Sequence, residues 1–273
     1  MLFLRTNNIS LLEYANKFPS KYLIDNHWIK FIDKKDKLEI VKDILKFLRV
    51  PTPQKMYEID TNILYKSNNN KPELLLLWLE KCYKETLNQE TGEYFKDNLE
   101  KVVAFILDSA KKEEFDVSKL TKVFNENGIY LVIQEDIPGS KIRGAFRVHG
   151  NKPAIYLTYK HKRIADIYFA LLHELAHCKT DFNRAKASNI VTFEGQTIDE
   201  CEINADKQAF EWMIPTKYFK ETICHKSYDI AKEKNYPQSF VVYVMAYNNR
   251  IKFSSGVYQK YNISIKLIKS LEI

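Results

Sequence analysis

The feature that most constrains this chain is His173-Glu174-Leu175-Ala176-His177, set at the end of an apolar run. Helix positions i and i+4 share a face, with Cβ atoms about 5–6 Å apart, so imidazoles at 173 and 177 converge on one point. The preceding stretch from Asp166 to Leu172 is strongly apolar and carries no helix breaker. It reads as a buried helix, and a buried helix does not carry two histidines and a glutamate without partners for them. Zinc would supply that partner. It accepts nitrogen and carboxylate ligands, and with three of them from protein it keeps one position open for water. Glu174, beside the first histidine, is placed to take a proton from that water. The alternative is a surface helix that carries two histidines by accident, and the apolar context argues against it.

A second helix completes the expected centre. Thr197-Ile198-Asp199-Glu200 has the pattern of a capping box and marks a helix start. Pro215 disfavours helix at the residue before it, which ends the element near Met213. Glu202, Ala205, Asp206, Ala209 and Met213 fall on one face of such a helix, and the two alanines allow a close approach to the helix bearing the histidines. Glu202 is then the expected third metal ligand. Asp206, one turn on, is expected to accept the second N–H of a ligand histidine and fix its tautomer. The competing reading is an ordinary solvated acidic face, since Asp199, Glu200 and Glu202 cluster there.

These residues resemble the ImmA/IrrE metallopeptidase family, a gluzincin-like group. The resemblance rests on the run from Ala170 to His177 and on the run from Glu202 to Pro215, where Glu202, Ala205, Asp206, Ala209 and Pro215 match the family pattern. Asn204 stands where many members carry a second acid, and Gln208 where a phenylalanine is usual. The stretch from Gly144 to Leu157 looks like the strand pair before the motif helix, and Pro237 to Val244 like the C-terminal helix. Trp28 to Pro53 is similar to the linker that follows a helix-turn-helix domain in larger members. The resemblance covers about residues 115–250. It implies an intracellular zinc endopeptidase that cleaves a regulatory protein, such as a helix-turn-helix repressor or an antitoxin.

The rest of the chain sets bounds. Its 273 residues, 45% of them hydrophobic, suffice for one large domain or two modest ones. The net charge of +7 comes mostly from lysines interleaved with acids. Nucleic-acid sites favour a basic stripe with arginine forks, so direct DNA binding is disfavoured. No run reaches the ~18 apolar residues of a membrane helix. Cys82, Cys178, Cys201 and Cys224 have no CxxC spacing and read as reduced thiols, with Cys178 and Cys201 as packing residues rather than ligands.

The expected fold class is α+β: a zincin-like metallopeptidase domain with a small β-sheet and the HExxH helix, preceded by a mainly helical N-terminal region. The domain reading is 1–114 helical, serving as scaffold or partner-binding module, 115–250 zincin-like, and 251–273 a tail packed on it. Helical periodicity places helices over about 38–48, 72–87, 93–112 and 118–127, the last stopped by Gly128. Strands are expected over 130–133, 144–149 and 154–158, with Gly150-Asn151 as a tight hairpin turn. The tail after Phe253 alternates weakly and fits strand or helix.

The expected chemistry has zinc held by His173, His177 and Glu202, with Glu174 as general base. A donor for the developing oxyanion is sought among His149, Tyr156, Tyr159, His161, Arg163 and His225. Two other readings stand beside it. One is a partner-binding module of a toxin–antitoxin or repressor system that uses the same fold without cleaving. The other, ranked last, is a metallohydrolase acting on a small molecule.

Overall fold

The computed structural model describes residues 16–30, 37–52, 55, 71–158, 163–187, 190–193, 200–219, 233 and 235–265. These residues form an α+β structure of eleven helices and one four-stranded sheet. The expected capping residues 197–199, and Tyr159, His161, Cys224 and His225, lie outside the described residues. The chain divides into two compact units: residues 1–84 with 136–141, and residues 85–135 with 142–273. The boundary expected at 114/115 therefore falls inside the second unit. The reason is the helix over Asn98–Lys111, whose Val102, Val103 and Ile106 belong to the same core as the motif helix.

In the first unit the described elements are α1 (Ser20–Asp25), α2 (Lys37–Phe47) and most of α3 (Pro72–Thr86). Ile40, Val41, Ile44, Leu45 and Phe47 repeat at helical spacing on α2 and are buried. Trp28 stacks on Phe47 at 5.9 Å between ring centroids. Arg49, just past α2, donates to Glu80 of α3 at 2.9 Å, and its guanidinium lies over the Tyr83 ring.

In the second unit α4 (Asn98–Lys111) and α5 (Val117–Glu126) precede β1 (Tyr130–Gln134), β2 (Ile142–His149) and β3 (Lys152–Thr158). The Asp116 side chain caps α5 by accepting from the Lys119 amide. Gly128 ends that segment with φ +79°, and a Cβ there would meet the Glu93 backbone at 2.5 Å. The sheet order is β1-β3-β2-β4. β2 and β3 form the expected antiparallel hairpin, with His149 opposite Lys152 across the Gly150-Asn151 turn. β1 runs parallel to β3, with Leu131 opposite Ile155. The short β4 (Ile190–Phe193) adds antiparallel to β2, with a register irregularity between Ile142 and Gly144.

α6 (Ile164–Thr180) carries the HExxH motif, and twelve of its residues are buried. One sheet face, through Leu131, Phe146, Ile155 and Leu157, shares the core with it. After α7 (Phe182–Ala187) and β4, α8 (Glu200–Met213) packs on α6, and α9 (Thr216–Phe219), α10 (Gln238–Tyr247) and α11 (Gly256–Tyr261) follow. The expectation for the tail resolves into helix for α11. Tyr258 of α11 and Asn262 just beyond it clamp the start of α6. Both donate to Asp166 Oδ2, at 3.0 and 2.6 Å, and Asn262 Oδ1 accepts from the Ala165 amide at 2.9 Å. Among the described residues no helix is long and apolar enough to cross a membrane.

Candidate metal centre

The centre is built from two helices and supported by one strand. On α6, His173, Glu174 and His177 are all buried, and on α8 Glu202 is 9% exposed. Ala205 and Ala209, one and two turns after Glu202, have no exposed surface. Their small side chains let α8 come close enough for a carboxylate to reach the histidines. Glu202 Oε2 lies 3.2 Å from His173 Nε2 and its Oε1 lies 3.6 Å from His177 Nε2. The two Nε2 atoms are 3.2 Å apart. The ligand atoms of His173, His177 and Glu202 all lie within 4.8 Å of one another, and the buried triad could hold a metal ion.

The other ring nitrogens show what the middle of this triad requires. His173 Nδ1 is 2.8 Å from Asp206 Oδ1, and His177 Nδ1 is 3.0 Å from Asp181 Oδ2. A carboxylate only accepts, so each Nδ1 carries the proton, and a neutral ring then points its Nε2 lone pair inward. Two such lone pairs and a carboxylate facing one another in a buried space repel unless a positive charge sits among them. A metal cation meets that requirement. Without metal a proton does so. Burial works to lower the pKa of His173, but hydrogen bonds to Asp206 and Glu202, with the charge of Glu174, raise it to about 10.

Asp206 therefore occupies the position expected of it, and its second oxygen accepts from the Tyr247 hydroxyl of α10 at 3.0 Å. Asp181, which holds the other histidine, escaped the sequence reading. Its signal was present: it stands four residues after His177, at the end of the same helix. Burial pushes the Asp181 carboxyl upward, yet hydrogen bonds from His177, Thr180 and Cys201 outweigh this and hold it below the usual carboxylate range. The Thr180 hydroxyl contributes at 2.6 Å.

Glu174 points toward β2. The nearest side-chain atoms to a Cβ built on Gly144 are those of Glu174, with its Cδ at 2.9 Å. Two residues along the same strand, Phe146 stacks on the His177 ring, 6.5 Å between centroids. On the other flank Phe169, one turn before His173, touches that ring at 6.1 Å and packs on Phe210 at 4.8 Å and Tyr243 at 5.2 Å.

Of the expected oxyanion donors, the three among the described residues, His149, Tyr156 and Arg163, do not gather here. His149 and Tyr156 hydrogen-bond each other at 2.6 Å. By strand alternation His149 lies on the sheet face opposite Phe146, away from α6, and so does its partner Tyr156. Arg163 starts α6, where it donates to the Asn262 carbonyl at 2.5 Å and to Gln259. Cys178 is buried and faces Tyr94, with the sulfur 3.2 Å from the hydroxyl oxygen, so it packs rather than ligates. Cys201 contacts Arg184 and Asp181 and stays outside the triad. No protein-family model matches the chain, and no curated protein matches it.

Proposed function

We propose that the protein is a zinc-dependent endopeptidase whose metal ligands are His173, His177 and Glu202 and whose general base is Glu174. The observation that carries the proposal is the spacing of the triad. Zinc bonds of about 2.0–2.2 Å in a tetrahedron imply ligand–ligand separations of about 3.3–3.6 Å. Here the two Nε2 atoms are 3.2 Å apart, the Glu202 carboxylate turns Oε2 to His173 at 3.2 Å and Oε1 to His177 at 3.6 Å, and one ligand atom from each residue lies within 4.8 Å of the others. Two imidazoles and one carboxylate are also the ligand set of several zinc hydrolases, and three protein ligands leave a fourth position for water or substrate.

When bound, zinc supplies Lewis acidity that makes water nucleophilic near neutral pH and polarises a carbonyl. The residues of the chain do the rest. Asp206 and Asp181 hold the two imidazoles in the Nδ1–H tautomer, so both Nε2 atoms stay available as donors. The Glu174 carboxylate accepts a proton from the attacking water and returns it to the amide nitrogen as the C–N bond breaks. Among the described residues β4 is bonded only to β2 in the sheet and forms one of its edges, beside Gly144. An extended peptide could add to such an edge by β-pairing, which favours a polypeptide substrate over a small molecule.

The resemblance of the two motif stretches to the ImmA/IrrE family supports a regulatory protein as substrate, such as a helix-turn-helix repressor or an antitoxin. It also supports a cytoplasmic location, in keeping with Cys82, Cys178 and Cys201 standing as thiols and not as disulfides. The helical first unit would then recruit that partner.

The test compares the native protein with Glu174→Gln on a proteome-derived peptide library, with cleavage sites read by mass spectrometry. Equal metal content and a fall in cleavage of about a hundredfold or more are expected for the variant. Undiminished cleavage by Glu174→Gln would overturn the general-base assignment. A native protein that binds a repressor or antitoxin with or without zinc, and cuts nothing, would point instead to a non-cleaving partner-binding module.

A further inference from the structure

Gly144 sits at a junction that the motif helix alone does not define. It pairs with Leu157 of β3 on one side and Thr192 of β4 on the other. With Phe146, two residues on, it faces α6. Phe146 covers His177, and Gly144 covers Glu174. A Cβ on Gly144 would come within 2.9 Å of Glu174 Cδ, within 3.0 Å of its Cγ, and closer still to Oε1. Carbon atoms in ordinary contact stay about 3.5–4.0 Å apart. All three nearest atoms belong to Glu174, and none is backbone. The closest crowding therefore falls on the carboxylate side chain and not on a neighbouring strand.

We infer that Gly144 is the positioning residue for Glu174: the absence of a side chain on β2 creates the slot in which the carboxylate lies. This rests on the reading of Glu174 as the proton acceptor. Glu174 is 1% exposed, so its carboxylate has little free space to enter when displaced. The slot thus fixes both the orientation of the base and its distance from the ligand histidines. Precise placement matters for a proton-transfer group, because it acts only within hydrogen-bond reach of the proton it takes. The requirement at 144 is for space and not for backbone freedom, which makes alanine an informative replacement.

The experiment is a double-mutant cycle on the full chain: native, Gly144→Ala, Glu174→Ala and the double variant. The first readout is the melting temperature of the chelator-treated, metal-free proteins, which requires neither activity nor metal. Beside native Glu174, Gly144→Ala is expected to lower it. With alanine at 174 the crowding is gone, and the same change is expected to raise it by about 1–4 °C, the ordinary gain from removing a glycine. If Gly144→Ala folds only in the double variant, that is the same coupling in its extreme form. Shifts of equal sign and size in both backgrounds would overturn the inference.

The second readout is kinetic, on peptides that the native protein cuts. Gly144→Ala is expected to keep its metal content and KM and to lose kcat by about a hundredfold or more. In the Glu174→Ala background it should have no further effect on the residual rate, and an undiminished kcat in the single variant would overturn the inference. The two readings fail separately. Full activity of Glu174→Gln removes the general base but leaves the stability coupling standing, whereas loss of the coupling removes the slot whatever Glu174 does.

Discussion

Replacing Asp206 by alanine tests whether the centre is a pre-organised metal site or a chance meeting of polar side chains. The Asp206 carboxylate does two things: Oδ1 accepts from His173 Nδ1 at 2.8 Å and Oδ2 accepts from Tyr247 at 3.0 Å. Losing the first bond frees the His173 ring to rotate and to place its proton on the nitrogen that must bind metal. Removing a carboxylate that holds a ligand histidine typically weakens metal binding about 10–100-fold, or about 1.4–2.7 kcal/mol. Asp206→Asn keeps an acceptor but drops the charge. Charge-assisted hydrogen bonds are about twice as strong as neutral ones, so this variant should lose about half that free energy, roughly 3–10-fold in affinity. Tyr247→Phe leaves the bond to His173 in place and removes one ordinary hydrogen bond from the other oxygen, which sets a ceiling of about tenfold. Competition with a zinc-binding chromophore on all four proteins reads the series directly. The order native, Tyr247→Phe, Asp206→Asn, Asp206→Ala, from tightest to weakest, is expected. An Asp206→Ala protein that binds zinc as tightly as native would refute the claim that this carboxylate orients the ligand.

Three further outcomes are expected. In the metal-free protein, His173 has a pKa raised from 6.5 to about 10, so its contribution to stability is complete below 6.5 and disappears as pH rises through 10. Melting temperatures of chelator-treated protein should fall across that window more steeply than those of a His173→Gln variant; parallel curves would contradict the assignment. Asn262 is fully buried and ties Ala165 and Asp166 to the C-terminal segment. Asn262→Ala should cost about 2–3 kcal/mol in urea unfolding by leaving those groups unpaired, and a loss under 0.5 kcal/mol would mean that the start of α6 does not depend on the clamp. Gly128→Ala should cost more than the roughly 1–2 kcal/mol of a left-handed non-glycine residue, because its Cβ would meet the Glu93 backbone at 2.5 Å. A smaller loss in the same assay would show that the turn can relax.

What the sequence made legible follows from the range of the interactions involved. His173, Glu174 and His177 are related by helical geometry alone, and α6 presents them as that geometry requires. Glu202 and Asp206 are legible for the same reason, since they recur at helical spacing with two alanines on one face. The hairpin of β2 and β3 announces itself through Gly150-Asn151, a local turn signal. Strand β4 was missed: four residues carry too short a pattern, and its pairing with β2 is set by tertiary structure. The helix expected from about residue 93 begins instead at Asn98. The residues before it are tied elsewhere, with Gly92 donating to the Asn125 carbonyl at 2.9 Å and Tyr94 stacked on Phe182 at 5.4 Å. Glu174 was legible as a candidate base, but its packing against Gly144 was not, because nothing local to Gly144 says which side chain will lie across it. Of the oxyanion candidates, His149 and Tyr156 miss the centre for a related reason: composition offers a histidine and a tyrosine, while strand parity decides which face they reach.

The most direct test of the account is the metal content of protein purified without chelators, measured by mass spectrometry beside a His173→Ala/His177→Ala variant. About one zinc per native chain, the stoichiometry of a single three-ligand site, is expected, and none in the variant. A native protein that carries no metal and takes up no added zinc would contradict it, and equal zinc in both proteins would place the metal somewhere other than this triad.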